Sequence, residues 1–242
     1  MRPIQPQFRQ KDIRSYVIRS GRITPSQEKA LAGQWPAYGL DLHQGARALD
    51  QAFPTTNADL ILEIGFGMGD SLLEMALKNP AQHFIGIEVH VPGVGRLVNE
   101  ASKRGIRNLR VFCADAVDVL ADCIPDNSLA RLQLYFPDPW HKSRHHKRRI
   151  VQPEFVALVA RKLRPGGILH MATDWQPYAE AMLDVVTACP ALENCTGAGQ
   201  FSPRPDYRPE TKFERRGQRL GHGVWDLLFR KTAATSAEEK AC

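Results

Sequence analysis

The feature that most constrains the fold is a regular alternation of short apolar runs with amphipathic segments between residues 59 and 229. The apolar runs are rich in Ile, Leu, Val and Phe, which is typical of buried strands, and helical patterns separate them. We predict strands at 59–64, 83–89, 108–113, 130–136, 168–173 and 223–229. Repeated strand–helix units with short connections predict an α/β, Rossmann-like fold, in which helices cover both faces of a mostly parallel central sheet.

Five consecutive predicted strands end in or beside an acidic residue: Glu63, Glu88, Asp115, Asp138 and Asp174. The carboxyl ends of parallel strands form the ligand-binding edge of such a sheet, so we expect these carboxylates to gather there. Taken singly, Asp115 and Asp174 are equally well explained as caps of the helices that follow. Five caps in a row are a poorer explanation, and the pattern favours an acidic pocket.

A glycine turn, Gly65-Phe66-Gly67-Met68-Gly69, follows the first of these strands. Gly65 and Gly67 allow the backbone to approach a ligand closely. Glu88 lies about 20 residues beyond the turn, where a carboxylate can accept hydrogen bonds from ribose hydroxyls. An acidic pocket with no cation in its glycine turn suits S-adenosylmethionine, which carries a sulfonium and an ammonium, and disfavours a pyrophosphate.

Basic residues are clustered in three segments, although the formal net charge is only +6. One is the N-terminal arm, one is the run 141–149, and the third is Lys212 with Arg215, Arg216 and Arg219. None forms an amphipathic helix with a bulky apolar face, so a nucleic acid is a better partner than a membrane. The run 141–149 taken alone is equally well explained as a solvated surface loop.

Other chemistries find little support in the sequence. The five cysteines are scattered without a CxxC pair, which argues against a disulfide framework and a zinc site and fits a reducing cytoplasm. His141 and His145 have the spacing of a metal pair, but no acid completes a site and the surrounding cations would repel a metal. No apolar run approaches 18 residues, so we expect a cytoplasmic protein that does not enter a membrane.

Several blocks of this sequence resemble the bacterial tRNA (guanine-N7-)-methyltransferase family. They are EIGFGMG at 63–69, GIEVHVPGVG at 86–95, DAVDVL at 115–120, FPDPWHKSRHHKRRI at 136–150, HMATDW at 170–175 and TKFERRGQRLGHGVWDL at 211–227. The resemblance covers residues 58–231, and the FPDPWHK and TKFE blocks are not general methyltransferase features. It implies a class I methyltransferase that uses S-adenosylmethionine to methylate N7 of a guanosine at position 46, in the variable loop of tRNA.

The resemblance also implies roles for individual residues. It assigns cofactor contacts to Glu63, Gly65, Gly67, Glu88, Asp115 and Asp138, and makes Asp138 the catalytic residue as well. It assigns substrate contacts to Lys142, Asp174, Thr211, Lys212, Phe213 and Glu214. It assigns RNA contacts to the loop Arg144, His145, His146, Lys147, Arg148 and Arg149.

Guanine N7 carries a lone pair and no proton, so its methylation needs positioning and a nearby negative charge more than it needs a general base. Asp138 can supply that charge, whether it acts mainly on the guanine or on the cofactor, and Pro137 and Pro139 restrict the backbone around it. Trp140 and Phe213 could stack on the base, although packing beneath the loop explains Trp140 at least as well.

We divide the chain into a basic, flexible arm with a short helix (1–35), a methyltransferase domain (36–231) and a disordered tail (232–242). The short helix is expected to open at 24–26, with Thr24 or Ser26 as its cap, and to end near residue 32. A turn is expected at 164–167, and His170 on its apolar strand is expected to be a core residue. Two other functions remain open at this point. One is another S-adenosylmethionine-dependent RNA base methyltransferase, and the other is a non-catalytic RNA-binding protein on the same fold. The sequence leaves open whether the protein is a monomer or a homodimer.

Overall fold

The computed structural model describes residues 4–7, 9, 13–17, 21–49, 52–53, 57–210, 214 and 223–233. Within these residues one sheet forms the centre of the molecule. Its strands are β1 (Gly39–Leu40), β2 (Leu60–Ile64), β3 (His83–Glu88), β4 (Leu109–Cys113), β5 (Leu129–Tyr135), β6 (Leu163–Thr173), β7 (Leu192–Asn194) and β8 (Trp225–Lys231).

The spatial order of the strands is β1-β4-β3-β2-β5-β6-β8-β7. The pairs from β1 to β6 are parallel, whereas β8 pairs with β6 and β7 in antiparallel fashion. The chain therefore moves outwards from β2 in one direction through β3 and β4, and in the other through β5 and β6. This reversal between β2 and β5 opens a crevice at the carboxyl edge of the sheet, which is the usual place for a ligand.

Helices cover both faces of the sheet. They are α1 (Pro25–Tyr38), α2 (Asp70–Lys78), α3 (Val91–Lys103), α4 (Ala116–Asp122), α5 (Pro153–Lys162) and α6 (Gln176–Thr187). Short 3-10 segments occur at Leu42–Leu49, where Gly45 breaks the helix, and at Ser143–Arg148.

Two apolar clusters form the core, one on each face of the sheet. Neighbouring residues of a strand join opposite clusters: Ile61 packs with α1, α2 and α3, whereas Leu62 packs with α4, α5 and α6. Successive side chains of a strand point to opposite faces, so a strand covered on both sides needs a continuous apolar run. The pattern that predicted the strands is a direct result of this two-sided burial.

The predicted strands and helices are confirmed, with shifts of a few residues at their ends. The largest difference is in α1, which we expected to end near residue 32 but which continues to Tyr38. Of the two expected caps the structure uses Thr24, which accepts from the Gln27 N–H while the Gln27 side chain accepts from the Thr24 N–H. Leu31 and Tyr38 are both buried in the same cluster, so tertiary packing extends the helix beyond its local signals.

Two short strands, β1 and β7, were not predicted, because two or three residues carry no periodic pattern and exist only by pairing with a neighbour. Strand β6 begins at Leu163, earlier than the predicted residue 168. The predicted turn is nevertheless present. Residues 164–167 bulge out of the ladder, because Leu163 pairs with Leu129 and the next pair is Ile168 with Arg131.

The ends of the chain are more closely attached to the fold than we expected. Gln7 forms a parallel bridge with Ala114, donating to the carbonyl of Cys113 and accepting from the N–H of Asp115. Helix α1 runs across the predicted boundary at residues 35 and 36. Thr232, assigned to the tail, donates its N–H to the carbonyl of Ala191, and the tail from residue 234 lies outside the described residues.

Gly93 in α3 provides a test of the packing between that helix and the glycine turn. A Cβ atom at Gly93 would lie 2.0 Å from the carbonyl oxygen of Gly67. We expect Gly93→Ala to displace the turn and to lower the free energy of unfolding by about 1–3 kcal/mol. Urea unfolding measures this change.

Gly33→Ala is the matched control for Gly93→Ala. Gly33 also lies inside a helix, but a Cβ atom there would meet nothing within 4 Å. Alanine has the higher helix propensity, so we expect this variant to be as stable as the wild type or up to about 1 kcal/mol more stable. Equal stabilities of the two variants would contradict the close approach of α3 to the turn.

Candidate active site

Two neighbouring cavities lie at the carboxyl edge of the sheet, beside β2 and β5. The nucleoside cavity, as we name it, has a volume of about 390 Å³ and includes Glu88 and Asp138 in its lining. The acidic cavity has a volume of about 440 Å³, and Glu63, Glu74 and Glu210 are among the residues that line it. Four residues line both cavities, namely Gly65, Gly67, Tyr135 and Phe136.

The glycine turn lies between the two cavities. Gly65 and Gly67 have φ angles of +73° and +58°, which a residue with a side chain rarely adopts. A Cβ atom at either position would meet nothing within 4 Å, so it would project into open space. A ligand can therefore contact the backbone of the turn directly, as the sequence predicted.

Glu88 holds the turn in this shape. Its Oε2 accepts from the Gly67 N–H at 2.8 Å, and its Oε1 accepts from the N–H groups of Val89 and His90 at 2.7 and 2.9 Å. The carboxylate also lines the nucleoside cavity. The sequence predicted a contact with ribose hydroxyls, which stays a prediction, but it gave no sign that Glu88 also shapes the backbone of the site.

Glu63 is buried, and its Oε2 has no hydrogen-bond partner among the described residues. Burial, together with the negative charge of Glu88, raises the pKa of the Glu63 carboxyl from about 4.5 to about 8, against a smaller opposing effect of Arg131. Leaving a buried carboxyl oxygen unpaired is costly. This oxygen is therefore available to a polar group of a ligand in the acidic cavity.

Asp115 and Asp174 occupy different kinds of position. Asp115 is buried and caps α4, since its Oδ1 accepts from the N–H groups of Val117 and Asp118 at 2.8 and 3.4 Å. It is absent from the lining of the nucleoside cavity, which includes its neighbours Ala114 and Ala116. Asp174 is half-buried after β6 and is not the cap of α6, whose N-cap residue is Trp175.

The Pro-Asp-Pro corner exposes Asp138 to the nucleoside cavity. The residues on either side of the corner, Phe136 and Trp140, have φ angles of +51° and +47°. A left-handed conformation costs a residue with a side chain of the order of 1–3 kcal/mol, and such strain is concentrated at functional sites. Because Arg149 also donates from Nε to the carbonyl of Pro139 at 2.9 Å, the corner is held from both ends.

The basic run 141–149 is not a uniform cationic surface. Arg144 and Lys147 are exposed, as an RNA-contacting loop requires. Arg149 is only 8% exposed, and its guanidinium lies over the ring of Tyr178, so its charge is used inside the protein. Arg148 lies over the ring of Trp140 and donates to carbonyls of the N-terminal arm. An RNA contact stays a prediction for the run, and the structure gives Arg149 an internal role that the sequence did not suggest.

His145 and His146 also make contacts within the loop. His145 accepts from Arg144 Nε at 3.3 Å, and His146 Nε2 lies 3.1 Å from Arg149 Nη2. Lys142 is exposed at the start of the 3-10 segment. A surface contact with RNA remains a prediction for Lys142 and for both histidines.

The predicted substrate block lies mostly outside the described residues, which include Glu214 but not Thr211, Lys212 or Phe213. Glu214 is buried, and its two carboxylate oxygens accept from Arg208 Nη1 and Nη2, both at 2.7 Å. Its function as a substrate contact stays a prediction. The structure gives it another partner that the sequence did not suggest.

Arg208 belongs to a buried polar network that sequence reasoning missed. Its Nε also donates to Asp226 Oδ1 at 2.8 Å, and that oxygen lies 2.7 Å from His170 Nε2. Burial lowers the pKa of His170, although Asp226 opposes the effect. Because Nε2 faces a carboxylate oxygen, which accepts, we assign the ring proton to Nε2. His170 Nδ1 then accepts from the hydroxyls of Tyr135 and Tyr207. His170 on its apolar strand was expected to be a core residue, and the network explains its burial.

Other types of site are not evident in the described part of the chain. No group of three or more His, Cys, Asp or Glu side chains there could hold a metal ion. No helix among the same residues is long and apolar enough to cross a membrane.

The raised pKa of Glu63 predicts a pH-dependent cost to stability. Between about pH 4.5 and pH 8 the folded protein holds a proton on Glu63 that the unfolded chain has released. The free energy of unfolding therefore falls as the pH rises through this window, by up to about 1.4 kcal/mol per pH unit from this group. We expect Glu63→Gln to remove that decline.

Urea unfolding of the cofactor-free protein from pH 5 to pH 8.5 measures the effect of Glu63→Gln. Glu193→Gln is the control, because Glu193 is exposed on the edge strand β7. The difference in stability between the Glu63 variant and the wild type should grow with pH, while the control follows the wild type. A constant difference across the range would show that Glu63 is not protonated in the folded protein.

Comparisons with known proteins agree with this geometry. A family model described as "Putative methyltransferase" matches residues 57–227. A tRNA (guanine-N(7)-)-methyltransferase from Saccharophagus degradans is 58% identical over 95% of this chain and 100% of its own length. The protein of the same name from Alcanivorax borkumensis is 60% identical over 92% of this chain and 93% of its own.

Among solved structures, the 16S rRNA methyltransferase KamB matches with a TM-score of 0.57 and 18% identity over 77% of this chain and 93% of its own. At that identity the likeness shows the fold alone, which is the Rossmann-like α/β fold of class I methyltransferases. The relatives match along almost the whole sequence and share more than half of its residues. The chain therefore belongs to the bacterial tRNA (guanine-N7-)-methyltransferase family.

Proposed function

We propose that this protein transfers a methyl group from S-adenosylmethionine to N7 of a guanosine at position 46, in the variable loop of tRNA. The observation that carries the proposal is the exposed Asp138 carboxylate, which a strained corner holds at the wall of the nucleoside cavity. Membership of the family supports the reaction and the tRNA substrate.

The residues of both cavities fit the cofactor. Glu63 has a buried carboxyl oxygen with no hydrogen-bond partner among the described residues, which suits the ammonium of the methionine half. Glu88 lies at the nucleoside cavity, where the ribose hydroxyls would be within its reach. Gly65 and Gly67 leave open space for close approach of the ligand to the backbone. When bound, S-adenosylmethionine supplies a methyl group on a positively charged sulfur.

The chemistry assigns few tasks to the protein. The lone pair of guanine N7 forms the new bond to carbon, and the electrons of the broken carbon–sulfur bond remain on sulfur. No proton has to be removed, so no general base is needed. Positive charge moves onto the purine ring, and a fixed carboxylate near it lowers the barrier. Asp138 is the residue that we propose for this task.

The substrate side of the site is formed by the carboxyl edge and the basic loop. Arg144 and Lys147 are the exposed cations of the loop that we propose as phosphate contacts, together with Lys142. Because the proposed substrate is tRNA, we place the activity in the cytoplasm. We also propose that residues 36–231 act as one methyltransferase domain, whose core also includes the part of α1 that precedes residue 36.

The test of the function is product identification. The protein is incubated with unmodified tRNA and with S-adenosylmethionine labelled in the methyl group, and the tRNA is then digested to nucleosides. We expect labelled 7-methylguanosine, and tRNA with adenosine at position 46 should accept no label. Label in an exocyclic amine would indicate a different base methyltransferase. Cofactor and tRNA binding without transfer would indicate a non-catalytic RNA-binding protein.

Asp138→Asn should lower the rate of methyl transfer by about a hundredfold or more, because one fixed charge beside the reacting base is removed. The single-turnover rate with saturating tRNA and cofactor measures this decrease. Asp184→Asn on α6 has the same change of charge at an exposed position and should behave as the wild type. A rate within threefold of the wild type for Asp138→Asn would remove this residue from the mechanism.

The basic loop predicts a change in salt dependence. Replacing Arg144 and Lys147 with Ala should weaken tRNA binding. The slope of log affinity against log salt should also fall by about 0.7–0.9 for each phosphate that the variant no longer neutralises. The measurement is tRNA affinity at several salt concentrations.

The control for the loop variant is Arg107→Ala with Arg161→Ala. These exposed cations lie before β4 and before β6, at the opposite edge of the sheet, and the net charge changes equally. If both double variants reduce the slope by the same amount, the effect is one of net charge and the loop makes no specific contact.

A further inference from the structure

Residues 13–17 of the N-terminal arm lie across the nucleoside cavity. Ser15, Tyr16 and Val17 line it together with Glu88, His90 and Asp138. The arm has an anchor on each side of this segment. Upstream, Gln7 pairs with the end of β4, and downstream Gly21 packs against His90 at the start of α3. We call residues 13–17 the strap.

The strap is held by two side chains that the sequence assigned to RNA or to the base. Trp140 donates from Nε1 to the carbonyl of Ser15 at 3.2 Å. Arg148 donates from Nε to the carbonyl of Arg14 at 3.0 Å and from Nη2 to the carbonyl of Tyr16 at 3.3 Å. Three consecutive carbonyls of the strap therefore face one pair of donors.

These donors also support each other. The Arg148 guanidinium lies 3.8 Å from the centre of the Trp140 ring, which is a cation–π contact. Trp140 itself follows the Pro-Asp-Pro corner and has a left-handed backbone. The strap is therefore attached to the same strained segment that presents Asp138.

The inward side of the strap is suited to a ligand. The Tyr16 hydroxyl is buried and has the Asp115 side chain as a hydrogen-bond partner. Burial raises the pKa of Tyr16 well above its usual value, and the negative charge of Asp115 adds to this effect. Val17 lines the cavity although 48% of it is exposed. A ligand in the cavity would cover Val17 and lie against Tyr16, since both residues line it.

We propose that Tyr16 and Val17 form a wall of the cofactor site and contact the nucleoside half of S-adenosylmethionine, with Arg148 and Trp140 as the positioning residues that hold this wall. The proposal rests on the proposed function, because it takes the ligand to be S-adenosylmethionine. It gives Arg148 a task that does not involve RNA.

The test compares two cations of the same loop in the full-length protein without tRNA. Arg148→Ala removes both hydrogen bonds to the strap, whereas Arg144→Ala removes an equal charge from a side chain that bonds His145 within the loop. Calorimetry gives the affinities for S-adenosylmethionine and for S-adenosylhomocysteine, which share the nucleoside. Two hydrogen bonds of ordinary strength predict that Arg148→Ala weakens both ligands roughly tenfold or more. Arg144→Ala should change each by less than twofold.

Tyr16→Ala and the double variant Tyr16→Ala with Arg148→Ala show whether Arg148 acts through the strap or whether its loss destabilises the protein in general. If Arg148 acts through the strap, the double variant should bind about as weakly as the weaker single variant, since both substitutions disable the same wall. Trp140→Phe keeps an aromatic ring but removes the donor to Ser15, and should weaken binding to a smaller extent. Additive effects in the double variant would overturn the proposal.

The remaining outcomes distinguish this proposal from the function on which it rests. Normal cofactor affinity in both Arg148→Ala and Tyr16→Ala would overturn the proposal that the strap is a wall of the cofactor site, and would leave the proposed methyltransferase function intact. Failure of the wild-type protein to bind either ligand would overturn the proposed function itself.

Discussion

The position of β2 between β3 and β5 is the constraint on which the rest of the site depends. In that register Glu63 lies opposite Gly86 on one side and Gln133 on the other. The connection after β2 leads to one half of the sheet and the connection after β5 leads to the other, so a crevice opens between their carboxyl ends. The glycine turn and the Asp138 corner both follow strands that meet there, and their closeness is a consequence of this pairing.

The protein buries ionisable side chains in two ways. One way stabilises the fold, and the other leaves a polar atom available to a ligand. Arg208 is buried with four donated hydrogen bonds to Glu214 and Asp226, so each of these charged groups has a hydrogen-bond partner. A network satisfied in this way fixes the segment before the TKFE block against β6 and β8. Glu63 is buried as deeply, but one of its oxygens has no partner among the described residues. The network around Arg208 stabilises the fold, whereas the unpaired oxygen of Glu63 is available to a ligand.

The basic run shows that charge alone does not assign a role. Arg144, Arg148 and Arg149 lie within six positions of one another, yet they face solvent, the arm and the Pro-Asp-Pro corner respectively. Each arrangement uses the guanidinium differently: as an exposed cation, as a donor to backbone carbonyls over an aromatic ring, and as a buried brace. The corner, the loop and the strap thereby form one connected assembly around Asp138.

The sequence by itself determined the order of strands and helices and the class of fold. Two-sided burial requires continuous apolar runs, and Gly65, Gly67 and the five strand-end acids marked the ligand edge. Local patterns also located the start of α1, at Thr24-Pro25-Ser26. These features depend on neighbours in the chain, and so they can be read without the fold.

Only the tertiary structure decided which partner each polar side chain has. Glu88 shapes the glycine turn through amides of residues 67, 89 and 90, and Asp115 caps a helix rather than lining the cavity. Arg208 donates to Asp226, which lies 18 residues away in the sequence, and Arg148 donates to the carbonyl of Arg14, which lies 134 residues away. A hydrogen bond forms between groups that folding brings within about 3 Å. The periodicity of the sequence does not predict such a hydrogen bond, because the bond depends on how distant segments of the chain pack together.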